Sequence, residues 1–71
     1  MTHMIECIDR QTKEKRWLRA VLERGQKIVT SEKQSQAMRF TLKETALSTA
    51  RMLLLDVRQG SKFSFEVVTA E

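Results

Sequence analysis

Arg16-Trp17-Leu18-Arg19-Ala20-Val21-Leu22-Glu23-Arg24 is the stretch on which the fold turns. Read with a helical period, Leu18, Val21 and Leu22 share one face, the Arg, Leu, Ala and Glu content favours helix, and Gly25 follows as a cap. Read as a strand, Leu18, Ala20 and Leu22 point one way while Trp17, Arg19, Val21 and Glu23 point the other. Arg24-Gly25 then turns the chain into Lys27-Ile28-Val29-Thr30. The hairpin is the preferred reading. The alternative carries an additional helix at about residues 12–24.

Outward from this stretch the signals are plainer. Ile5-Glu6-Cys7-Ile8 is rich in strand formers and predicts a first strand over about residues 3–9, with the polar interval Asp9 to Lys15 as a loop or hairpin turn. Ser31 to Phe40 starts polar and ends Ala37-Met38-Arg39-Phe40, which suits a loop followed by a short strand. Thr41-Leu42-Lys43-Glu44 has the spacing of a capping box, so a helix is expected from Thr41 or Leu42, over about residues 41–58. Leu42, Ala46, Ala50, Leu53 and Val57 follow the 3.6-residue period as its core stripe, with Leu47 and Leu54 on the flank. The helix should stop before Gly60, and a final strand is expected at about residues 62–69, with Phe63, Phe65 and Val67 on one face.

These elements make one α+β domain spanning residues 1–71, a small and mainly antiparallel sheet packed on one helix. The order is β-β-β-(β)-α-β, or β-α-β-(β)-α-β if Arg16 to Arg24 is helical. Trp17-Leu18, Ile28-Val29-Thr30 and Ala37-Met38-Arg39-Phe40-Thr41-Leu42-Lys43-Glu44-Thr45-Ala46 resemble small uncharacterised bacterial and phage proteins. In those, a hairpin precedes an A-x-x-F-[ST]-x-x-E-A segment that leads into a helix. The resemblance covers about half of the chain and departs at Thr45, where such segments often repeat Glu. It implies a compact accessory protein and no particular chemistry, since function has to be argued from a site.

Size and composition agree with a single small domain. The chain has 71 residues, 41% hydrophobic and 31% charged, a balance too apolar for a disordered chain and too polar for a membrane protein. A domain of this length buries only roughly 60% of its unfolded surface, which leaves no room for a two-domain enzyme. A single cysteine, Cys7, allows no internal disulfide and no CxxC pair, and fits a reducing compartment. Residues 1–6 show no basic segment followed by an apolar run, and the longest apolar stretch, Met52 to Leu55, is far short of a membrane span. A cytoplasmic location without membrane contact is therefore expected. Met4 is an alternative start, so no function is placed on His3.

No catalytic, metal or cofactor constellation emerges. His3 and Cys7 share one face of a strand about 13 Å apart, too far for a direct couple. The acidic residues form no HExxH or DxDxDG cluster. Glu6 and Glu66 meet only if the first and last strands pair, and then read as a surface pair. Gly60-Ser61-Lys62 lacks the first glycine of a phosphate-binding loop and reads as a turn. The chain is accordingly expected to be no enzyme and to take no small-molecule substrate or cofactor.

Two features point to macromolecular partners. Thirteen Lys and Arg against nine Asp and Glu give a net charge of +4, and residues 10–27 alone carry seven basic against two acidic side chains. Arg10, Lys13, Lys15, Arg16, Trp17 and Arg19 form a candidate site for an acidic partner or nucleic acid, with Trp17 available for stacking. On the helix, Leu55 lies nearly opposite the core stripe and Met52 well off it, so one sheet cannot cover both. Met52 and Leu55 are the candidate protein interface, for self-association as a homodimer or for a second protein. The leading expectation is a non-enzymatic interaction or regulatory protein of phage or mobile-element type. A nucleic-acid-binding module using residues 10–27 is the alternative.

Overall fold

A computed structural model describes residues 1–70; Glu71 lies outside the described residues. Arg16 to Leu22 is a strand. The sheet is built from β1 (Thr2–Asp9), β2 (Lys15–Leu22), β3 (Lys27–Ser31) and β4 (Phe63–Ala70), in the order β3-β2-β1-β4 with every neighbour antiparallel. Two helices, α1 (Lys43–Leu55) and α2 (Val57–Lys62), link β3 to β4. This is the small α+β arrangement expected, with the hairpin in place of the additional helix.

The β1–β2 turn is organised by one carboxylate. Asp9 Oδ1 accepts the backbone N–H groups of Gln11 at 2.8 Å and Thr12 at 3.0 Å, while Lys13 takes a positive φ of 65°. Such an Asx-type turn closes the hairpin without a glycine. The β2–β3 turn runs Glu23, Arg24 and Gly25 through positive φ, with Gly25 at 92°. Gly25 also leaves space for Met52, whose Cε would stand 3.3 Å from a β-carbon at this position.

Register fixes the two faces of the sheet. Cys7 lies opposite Arg16 and Phe65, and Ile5 opposite Val67, so these side chains share the face that meets α1. Ile5, Cys7, Leu18, Phe40, Ala46, Ala50, Leu53, Phe63 and Phe65 form the buried core there. Trp17, opposite Glu6, is half-buried on the face away from the helix. The simple alternation expected for β2 is corrected by a bulge: pairing shifts between Leu18 and Ala20, leaving Arg19 as the extra residue. An extra residue inverts the inward and outward sequence beyond it. Val21 consequently packs on the core while Leu22 is exposed.

The short strand expected near Phe40 is reduced to one bridge. Below Glu6 the strands β1 and β2 part, and residues 38–40 fill the gap. Met38 N–H donates to the Leu18 carbonyl at 2.8 Å, and Phe40 exchanges hydrogen bonds with His3, each 2.8 Å. The backbone groups freed by the splay are thus satisfied.

The helical segment departs from expectation at both ends. The cap of α1 is Leu42, in an extended conformation with no side-chain cap hydrogen bond, so the Thr41–Glu44 capping box does not form. Leu42 consequently lies outside the helical phase and is exposed. At the other end α1 stops at Leu55, because Asp56 adopts an extended conformation (φ −70°, ψ 126°). Its carboxylate accepts from Arg58 and Gln59 N–H and starts α2. The break resets the helical phase, which moves Val57 from the expected core stripe to 85% exposure. Gly60 does not terminate a helix; it lies within α2, where a β-carbon would collide with the Leu54 backbone. Gly60-Ser61-Lys62 is the last turn of that helix.

Candidate interaction surface

The expected interface residues occupy the outer side of α1. Ala46, Ala50 and Leu53 face the sheet, fully or nearly fully buried. At 100° per residue, Leu55 projects directly away from them and is 77% exposed. Met52 sits on one flank, 44% exposed, with its thioether against Gly25. It is therefore partly covered by the β2–β3 turn, and Leu55 is not. Leu47 and Leu54, 42% and 44% exposed, occupy the opposite flank. After the Asp56 break α2 opens with Val57, which at 85% exposure is a further exposed apolar residue two positions beyond Leu55.

The 3.6-residue period puts Leu47 and Leu54 beside the core stripe and Val57 within it. The signal that would have moved Val57 outward is Asp56 with Gln59 three residues on, the pattern of a helix start inside an apolar run.

The basic segment does not gather on one face. Arg10 Nε donates to the Gly60 carbonyl at 2.9 Å, tying the β1–β2 turn to α2, and Lys13 is in the turn itself. Lys15, opposite Ile8, shares the helix-free face with Trp17. Arg16 points the other way, toward the helix side. Its Nε donates to Thr30 Oγ1 at 2.8 Å, and its Nη1 pairs with Glu32 at 3.3 Å. Arg19 is exposed on the bulge. The six candidate residues are thus divided between a turn, two faces and a bulge by strand parity.

The remaining polar groups have structural explanations. Cys7 is fully buried, and burial, followed by the nearby Glu6 charge and opposed by Arg16, pushes its thiol up to about 12. A thiol held protonated is a poor nucleophile. His3 Nδ1 lies 3.1 Å from Thr69 Oγ1. Glu6 and Glu66 are directly opposite across β1 and β4, as a surface pair. The backbone N–H groups of Thr12 and Gln11 hold the Asp9 carboxyl below the usual carboxylate range. Among the described residues, no group of three His, Cys, Asp or Glu side chains is placed to hold a metal ion.

A groove of about 370 Å³ lies between β3 and α2, lined by Leu22, Ile28, Phe63, Gln59, Lys27 and Lys62 among others. Gln59 spans it, donating from Nε2 to the Gln26 carbonyl at 3.0 Å. No helix among the described residues is long and apolar enough to cross a membrane. Comparison with protein-family models, curated proteins and solved structures finds no match to this chain.

Proposed function

We propose that this chain is a non-enzymatic interaction or regulatory protein, an accessory factor of phage or mobile-element type that acts in the cytoplasm through protein contacts. The observation that carries the reading is the apolar surface around the α1–α2 break, where Leu54, Leu55 and Val57 stand exposed in succession. Isolated exposed leucines are ordinary, whereas contiguous ones mark contact surfaces. The contact is hydrophobic burial of Leu55 and Val57 against a partner surface, with Arg51 and Arg58 as a charged rim.

The alternative reading is a nucleic-acid-binding module. Lys15 and Trp17 on one face favour it, and Arg16 on the other weakens it. Salt separates the two: a phosphate binder loses affinity steeply as salt rises, while an apolar contact does not.

The test is affinity capture with the wild-type chain and Leu55→Glu, followed by binding of each captured protein in purified form. The reading expects a purified partner that binds the wild type and is lost with Leu55→Glu, with binding retained at high salt. Partners that bind both forms equally, or binding to labelled nucleic acid that vanishes with salt, would overturn it.

A further inference from the structure

The outer edge of β4 is open, and the direction of its backbone groups follows from its neighbours. Asp9 N–H donates toward β2, to the Glu14 carbonyl, while Arg10 N–H donates toward β4, to the Lys62 carbonyl. His3 N–H donates to Phe40, again on the β2 side. Successive residues of a strand alternate in direction. Met4, Glu6 and Ile8 therefore bond β4 through Val68, Glu66 and Ser64, their register partners. Phe65, Val67 and Thr69 then direct N–H and C=O away from the sheet. None of these groups has a hydrogen-bond partner among the described residues.

The other edge is protected. Strand β3 is short and carries Lys27, and two carbonyls accept side-chain donors: Gln26, just before the strand, from Gln59, and Thr30, within it, from Arg16. Strand β4 has eight residues, a single charge and no proline. Proteins normally blunt a long edge of this kind.

We infer that β4 pairs antiparallel with β4 of a second copy about a two-fold axis at Val67, continuing the sheet across the dimer. This names the partner within the protein-contact reading above and rests on it. Three observations select a second copy. Centring on Val67 pairs Phe65 with Thr69 of the second copy and Val67 with Val67, so all three open residues are satisfied together. The same register sets Glu66 opposite Val68 of the second copy. Centring on Glu66 would instead oppose two like charges, which is unfavourable.

The third observation is the position of α1. The helix lies over β4 and β1, and Met52 on Gly25 marks its flank toward the β2–β3 turn. By helical phase Leu47 and Leu54 are on the opposite flank, the one away from that turn, and both are exposed. With strands about 4.8 Å apart, two such helices related by the axis lie roughly 10 Å apart. Packed helices have axes separated by about 8–10 Å, so Leu47 and Leu54 of the two copies would close the space between them.

Sedimentation equilibrium with cysteine cross-linking tests this on the full chain. A hydrogen-bonded antiparallel pair has Cα atoms about 5.5 Å apart, within disulfide range. Val67→Cys should therefore form a covalent dimer under mild oxidant, and Glu66→Cys roughly tenfold more slowly, being offset along the strand. Val67→Pro should abolish the dimer yet keep the wild-type circular dichroism, because the N–H it removes is unbonded within the monomer. If Val67→Pro fails to fold, the cross-linking comparison decides. A monomer at every concentration, or a dimer in which Glu66→Cys links as fast as Val67→Cys, overturns the pairing. A monomer whose purified partner is still lost with Leu55→Glu overturns the pairing alone and leaves the protein-contact reading in place.

Discussion

Gly60→Ala sets two effects of opposite sign against each other. Within a helix, alanine in place of glycine ordinarily stabilises by about 1 kcal/mol. At Gly60, however, an added β-carbon would fall inside contact distance of the Leu54 carbonyl oxygen and 2.9 Å from its carbonyl carbon. The obstacle is backbone, so no rotamer change relieves it; the end of α1 or the whole of α2 must move. Gly60 N–H also donates to the Asp56 carbonyl at 2.7 Å, and Gly60 accepts from Arg10, so displacement loosens both contacts. Overpacking against well-packed structure costs about 1–3 kcal/mol, and here backbone shifts place it at the upper end. After the propensity gain is deducted, a net loss of about 2 kcal/mol remains. For a domain of this size that lowers the melting temperature by roughly 8–16 °C. Thermal unfolding followed by circular dichroism measures it. A melting temperature equal to or above that of wild type would refute the close approach of α2 to the end of α1.

Further expectations concern stability, pH and salt. The folded-state Cys7 thiol is raised from 9.0 to about 12, so its contribution is fully present below pH 9 and is lost as pH rises from there toward 12. An alkaline melting series should show that slope in the wild type and a flatter one in Cys7→Ala, which starts from a lower plateau because it leaves a cavity. The Asp9 carboxyl is lowered in the fold, so its contribution is present above the ordinary carboxylate range and lost as pH falls through the depressed value. Asp9→Asn should accordingly be less stable than wild type at neutral pH and approach it in acid, as urea titrations would record. Leu53→Ala, at a fully buried position, should cost about 2–5 kcal/mol by urea unfolding. Leu55→Ala on the exposed side should change stability by less than about 0.5 kcal/mol. Dimerisation of two +4 chains should strengthen as salt rises, the reverse of phosphate binding; sedimentation at low and moderate salt separates the two.

The parts of the fold legible in the sequence are those set by local pattern. Thr2 to Asp9, the β2–β3 hairpin around Gly25, the helical Ala46-Ala50-Leu53 stripe and the Phe63-Phe65-Val67 strand all follow from period and turn chemistry. The additional helix lost because Leu18 and Val21 gain more from the sheet's core than an isolated helical segment would supply, a tertiary override of propensity.

Features that depend on distant partners were not legible. The bulge at Arg19 coincides with Met38 occupying the Leu18 carbonyl, a contact across twenty residues that no local window contains. The capping box at Thr41 failed because Leu42 is itself extended, which starts α1 at Lys43 and leaves Thr41 one residue outside the cap position. For the candidate site, the helical wheel identified Leu55 correctly as opposite the core, since that depends on phase alone. It misplaced Val57, because the Asp56 break resets the phase. The basic segment looked continuous only in one dimension; strand parity sends Arg16 and Trp17 to different faces.

Amide NMR of the labelled protein reads out whether the chain works through its apolar outer surface. Spectra would be taken over a range of concentrations and, separately, with added nucleic acid at moderate salt. Concentration-dependent shifts are expected in Leu54, Leu55 and Val57 and in the outward amides of Phe65, Val67 and Thr69, with little response to nucleic acid. Shifts confined to residues 10–27 on adding nucleic acid, with the helix and β4 unmoved at every concentration, would contradict contact through that surface.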